Sequence, residues 1–103
     1  MVENYFDLVP VINDETAYVT GENNNVIIIN RNRRFAWFKR NGDIELDSYG
    51  SKLFRKINGK RTVGDISDEL EKELGEEKEL ARQRVLVFMQ ILRRMHLIKF
   101  GNV

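Results

Sequence analysis

The chain has 103 residues, with 17 Lys and Arg against 16 Asp and Glu, a formal net charge of +1 and no cysteine. A chain of this length fits one domain, residues 1–103, and buries roughly 65% of its unfolded surface, enough for one core without staples. The composition excludes a disulfide framework, a zinc–thiolate site and a thiol nucleophile, and the balanced charge argues against a dedicated polyanion binder.

Residues 1–14 read as an irregular segment containing Pro10, the one proline. Their acidic start lacks a basic region followed by an apolar run, so no secretory signal is expected. The longest wholly apolar run, Val26 to Ile29, is far too short to span a membrane. A soluble, cytoplasmic protein is the expectation.

Residues 16–20 carry β-branched and aromatic side chains and read as a strand. Gly21 and the asparagines that follow form a turn, because these residues tolerate positive φ. Residues 26–30 form the clearest strand, apolar on both faces, so an antiparallel hairpin is expected. Residues 31–40 are ambiguous. Arg31, Arg33, Arg34, Lys39 and Arg40 are interleaved with Phe35, Trp37 and Phe38. Asn41 and Gly42 give a strong turn signal. Ile44, Glu45 and Leu46 then alternate as a half-buried strand should.

After Asp47 the pattern becomes helical. Asp47 or Ser48 can cap a first helix, whose Tyr49, Leu53, Phe54 and Ile57 form one apolar face. Asn58 and Gly59 stop it. Thr62 to Asp65 resembles a capping box with Asp in place of Glu. Val63, Ile66, Leu70 and Leu74 form the buried stripe of the second helix, which Gly75 ends. The third helix is expected from about residue 77 to 95, with Ala81, Val85, Phe88, Leu92 and Met95 facing the core. Leu80, Arg84, Val87, Ile91 and Arg94 form a second row beside that stripe. The apolar surface is then wider than two short helices require, so the β-region or a partner must cover it. Residues 97–100 read as a short terminal strand. The expected architecture is α+β and winged-helix-like, with three N-terminal antiparallel strands followed by three helices.

Catalytic chemistry finds little to build on. His96 is the one histidine and sits where the last helix ends, so a cation favoured by the helix dipole is its simplest role. His-based metal clusters and Ser-His-Asp triads have almost nothing to build on. The seven glycines are scattered, without a phosphate-binding loop. Asp65, Asp68, Glu69, Glu71 and Glu73 read as a solvated face.

Leu46-Asp47, Tyr49-Gly50, Leu53-Phe54, the run from Asn58 to Ile66, and Leu70 occur in an informative order. Val85, Phe88-Met89, Leu92 and Leu97-Ile98 follow them. In that order, over residues 43–100, the chain resembles the pyrroloquinoline quinone biosynthesis protein D (PqqD) family. It departs at Leu53-Phe54, where the family usually has tryptophan, at Asn58 for aspartate and at His96 for glycine. The resemblance implies a non-catalytic RiPP recognition element, without cofactor or metal. Such a module captures the leader of a ribosomally made precursor peptide in natural product biosynthesis. It presents that leader to a modifying enzyme, often a radical SAM enzyme. The family's leader adds as a strand beside the third strand and packs against the third helix.

On that footing the expected peptide-binding residues are Ile44, Glu45, Leu46, Leu80, Arg84, Val87, Ile91 and Arg94. An exposed strand edge offers unpaired N–H and C=O groups. The apolar row supplies a wall, and Arg84 and Arg94 would suit acidic leader residues. The alternative for Val87 and Ile91 is packing under the N-terminal hairpin. A second functional reading is a nucleic-acid-binding winged helix that uses the cations and aromatics of residues 31–40. The reading preferred to it places those aromatics in the core, their cations snorkelling to water. A third reading is a subunit that binds a partner protein through the same row. Both a monomer and a homodimer are compatible with the pattern.

Overall fold

The computed structural model describes residues 4–29 and 43–101. The cationic and aromatic segment 31–40 and the Asn41-Gly42 turn lie outside the described residues. In chain order there follow a 3-10 turn at Tyr5–Asp7, β1 (Pro10–Ile12), β2 (Ala17–Thr20), β3 (Val26–Ile29), β4 (Ile44–Glu45), α1 (Ser48–Arg55), α2 (Val63–Leu74), α3 (Lys78–Arg94) and β5 (Ile98–Phe100). The architecture is α+β, with antiparallel strands and three helices.

β2 and β3 form the expected hairpin, with Ala17 opposite Ile29 and Thr20 opposite Val26. Its turn closes through the Gly21 N–H on the Asn25 carbonyl at 2.8 Å, with Asn24 at φ 67°. β4 pairs on the other side of β3, giving the order β2-β3-β4. β3 buries Val26 and Ile28 but leaves Ile27 and Ile29 only half-buried.

The N-terminal segment differs from expectation. Residues 10–12 are a strand that pairs antiparallel with β5, Pro10 opposite Phe100 and Ile12 opposite Ile98. Three residues are too few to show alternation, and the partner lies at the far end of the chain. Pro10 fits because the first position of a strand can forgo an N–H. Asn13 and Thr16 then tie the segment to the end of α3: the Asn13 side-chain amide donates to the His96 carbonyl at 2.6 Å and the Thr16 hydroxyl to that of Leu97 at 3.1 Å.

Each helix stops where its local chemistry requires. Asp47 caps α1, its Oδ1 accepting the Gly50 N–H at 2.7 Å. Thr62 and Asp65 form a reciprocal capping box, with bonds of 2.9 and 3.0 Å. α2 ends at Gly75, φ 65°. α3 ends with His96 at φ 61°, the Leu97 N–H reaching back to the Leu92 carbonyl and the His96 N–H to that of Arg93. This is a Schellman ending with a histidine in the place that glycine ordinarily takes. Asp65, Asp68 and Glu73 on the acidic face of α2 are exposed as expected, but two carboxylates of that face are paired. Lys56 bridges Glu69 and Glu73, and Arg61 bonds Glu69 at 2.6 Å, which pins the α1–α2 turn.

The core joins Val26, Ile28, Leu46, Leu53, Phe54, Ile57, Val63, Ile66 and Leu70 to Val85, Met89, Leu92 and Ile98. Three expected core positions differ. Leu74 is exposed, being the last residue of α2. Phe88 and Met95 are half-buried while Met89 is fully buried. The inward stripe of α3 is Ala81, Val85, Met89 and Leu92, which turns Phe88 sideways towards α1.

Candidate functional site

The backbone of β4 is the first component of the site. Its cross-strand partners are Ile28 for Ile44 and Ile27 for Glu45, and the Leu46 N–H donates to the Val26 carbonyl at 2.8 Å. Hydrogen-bonded and non-hydrogen-bonded pairs alternate along an antiparallel ladder. The 26/46 and 28/44 pairs are therefore of the bonded kind, and Glu45 turns its N–H and C=O away from β3. Ser51 completes the ladder from α1. Its hydroxyl accepts the Val26 N–H at 2.8 Å and donates to the Leu46 carbonyl at 3.3 Å. One buried side chain thus satisfies two backbone groups and anchors the end of β4 to the helix.

The side chains of the expected strand positions then divide. Leu46 is in the core, Ile44 packs against the core edge, and Glu45 lies on the opposite face, its carboxylate accepting hydrogen bonds from Asn23 and Asn25. Among the described residues β3 is the ladder partner of β4. The outward backbone groups that β4 offers a further strand are those of Glu45.

The outer row of α3 is the second component. Leu80, Val87 and Ile91 are 44%, 54% and 46% exposed, and Arg84 and Arg94 are exposed with them. Val87 and Ile91 thus do not pack under the hairpin. Large apolar groups left this open in one row mark an interaction surface more often than scattered surface residues do.

The α3 row faces the start of α1 across a cleft of about 490 Å³ lined by Asp47, Tyr49, Leu80, Gln83, Arg84 and Val87. Of the sequence-derived residues it gathers Leu80, Arg84 and Val87. Ile91 and Arg94 continue the row beyond it, and Ile44, Glu45 and Leu46 precede its wall in the chain. Asp47, Tyr49 and Gln83 were not among the expected site residues. Asp47 had read only as a cap and Tyr49 only as part of an apolar face.

Gly50 allows the close approach beneath the cleft. A Cβ there would fall 2.6 and 2.7 Å from the Phe88 ring, so the ring lies directly on the α1 backbone. On the cleft side, Arg84 stacks 5.5 Å from the Tyr49 ring centroid. Its Nη1 also donates to both carboxylate oxygens of Glu76 at 3.2 Å. The Tyr49 hydroxyl is buried without a hydrogen-bond partner among the described residues. Burial raises its pKa, Glu76 raises it further and Arg84 opposes them. The phenol therefore stays protonated at neutral pH and keeps a proton to donate.

Among the described residues, no cluster of three or more His, Asp or Glu is placed to hold a metal. No helix there is long and apolar enough to cross a membrane.

The strands and helices make up a fold that a solved structure shares. The chain is similar to the solved structure described as TbiB1 in complex with the TbiA(beta) leader peptide. That match has a TM-score of 0.69 and 15% identity, covering 86% of this chain and 94% of the other. The family follows from sequence: the model of coenzyme PQQ synthesis protein D (PqqD) matches residues 26–98, and the chain belongs to that family. No curated protein matches the sequence.

Proposed function

We propose that this chain is a non-catalytic RiPP recognition element, which holds the leader segment of a ribosomally made precursor peptide for a modifying enzyme. The observation that carries the reading is the exposed apolar row Leu80, Val87 and Ile91 beside the cleft that α1 and α3 form. An extended leader would bond the outward N–H and C=O of Glu45 and lay alternate side chains on that row. Family membership supports this function, and the TbiB1 complex is an instance of a similar fold with a leader peptide bound.

A radical SAM enzyme is the partner class we propose for the modification step, and the cytoplasm, where precursors are translated, is the compartment. An apolar row fits a peptide better than a phosphate backbone. A salt titration tests the choice against nucleic acid. Leader affinity, measured with a precursor encoded in a neighbouring reading frame, should change little across moderate salt. Nucleic-acid binding would weaken by orders of magnitude.

A further inference from the structure

The charge of the cleft carries a consequence for which leaders it accepts, resting on the leader-binding reading above. Arg84 alone would invite a carboxylate, since charge-assisted bonds to a guanidinium are strong. That charge is already countered. Both oxygens of Glu76 take the Arg84 Nη1 at 3.2 Å, and the Glu76 side chain is only 10% exposed against 52% for Arg84. Glu76 directly follows Gly75, whose left-handed turn ends α2, so the backbone fixes the direction of approach. Arg84 is also held over the Tyr49 ring. Asp47 adds a carboxylate to the lining, whose aliphatic side chains are Leu80 and Val87.

We infer that Glu76 is a specificity-determining residue: by occupying Arg84 it excludes acidic leader side chains from the cleft, which takes an uncharged, apolar one instead. This revises the expectation that Arg84 meets an acidic leader residue. Arg94, exposed further along α3, is the cation of the row that remains for one.

The test is selection of displayed random 12-residue peptides on the wild-type chain, on Glu76→Gln and on the Glu76→Gln/Arg84→Gln double variant. The aligned position whose preference weakens on Leu80→Ala marks the cleft. Wild type should select apolar residues there and deplete Asp and Glu. Glu76→Gln should raise the acidic share by about tenfold, the worth of a hydrogen bond to a charged group. The double variant should return to the wild-type profile, because Arg84 is already neutralised in the wild type. Acidic residues selected by wild type at that position would overturn the inference, as would an unchanged Glu76→Gln profile. Should the single variant fail to fold, a double-variant profile that departs from wild type also overturns it. A wild-type chain that enriches no peptide at all refutes the leader-binding reading itself, and the inference with it.

Discussion

Gly50→Ala tests the close approach on which the cleft is built. The added methyl would sit 2.6 and 2.7 Å from two carbons of the Phe88 ring and 3.2 Å from the Asp47 Oδ1. The ring contacts are ~0.9 Å short of a comfortable carbon–carbon separation of ~3.5 Å. Asp47 cannot retreat without loosening the α1 cap, and Phe88 cannot move without shifting α3 or exposing its ring. Overpacking of this kind costs about 1–3 kcal/mol. Alanine returns about 0.5–1 kcal/mol through the helix backbone, leaving a net loss of about 1 kcal/mol at the middle of both ranges. A urea titration read by circular dichroism should show a midpoint lower by up to about 1 M, given slopes of about 1–3 kcal/mol per molar. Peptide affinity should fall as well, because the methyl pushes apart the two walls of the cleft. Phe88→Leu in the same chain should relieve most of the loss, a coupling that a double-mutant cycle reads directly. A Gly50→Ala chain as stable as wild type, or more so, would refute the reasoning, since propensity alone would then decide the position.

Ser51→Ala removes the hydroxyl between the Val26 N–H and the Leu46 carbonyl. It should cost about 1–3 kcal/mol in chemical denaturation, and hydrogen exchange at Val26 should quicken. Unchanged protection at Val26 would show that the relay does not operate. His96→Gly should stabilise by about 1 kcal/mol by relieving a left-handed non-glycine residue; a lower melting temperature would contradict it. For Glu69, burial raises the pKa but hydrogen bonds from Lys56 and Arg61 outweigh it, so the carboxyl lies below its ordinary value. Its stabilisation is therefore present above the ordinary carboxylate pKa and is lost as pH falls through the folded value. Glu69→Gln should cost up to about 1 kcal/mol at pH 7, since Glu69 is part-exposed, and progressively less as the pH drops below about 4. A gap that does not change with pH would contradict the assignment.

Much of the fold was legible wherever a single turn of chain carries its own signal. The Thr62–Asp65 box, the stop at Gly75 and the existence of a second row on α3 follow from spacing alone, because caps and helical periods are local; that the row is exposed does not. β1 was not legible, since its partner Phe100 is ninety positions from Pro10 and the three residues of β1 show no pattern by themselves. Phe88 and Met89 lie on either side of the stripe set by Ala81, Val85 and Leu92, so spacing does not choose between them, and Gly50 gives the Phe88 ring room against α1. For the site, the α3 row could be read from spacing but the cleft wall could not. Asp47 and Tyr49 face α3 only after α1 has docked. Glu76 follows the acidic face of α2 and carried no signal of its own, since only the turn at Gly75 aims it at Arg84. The outward direction of Glu45 needed the ladder register, which one bond at Leu46 settles.

The central claim is that a leader binds on the outer row of α3. Val87→Glu and Ile91→Glu put a charge at positions already 54% and 46% exposed, so each should change stability by no more than about 0.5 kcal/mol. The measurement is leader affinity by fluorescence anisotropy in these two variants, with folding checked by circular dichroism. Loss of binding by tenfold or more in chains that remain folded is the result this account predicts; wild-type affinity in both would contradict it.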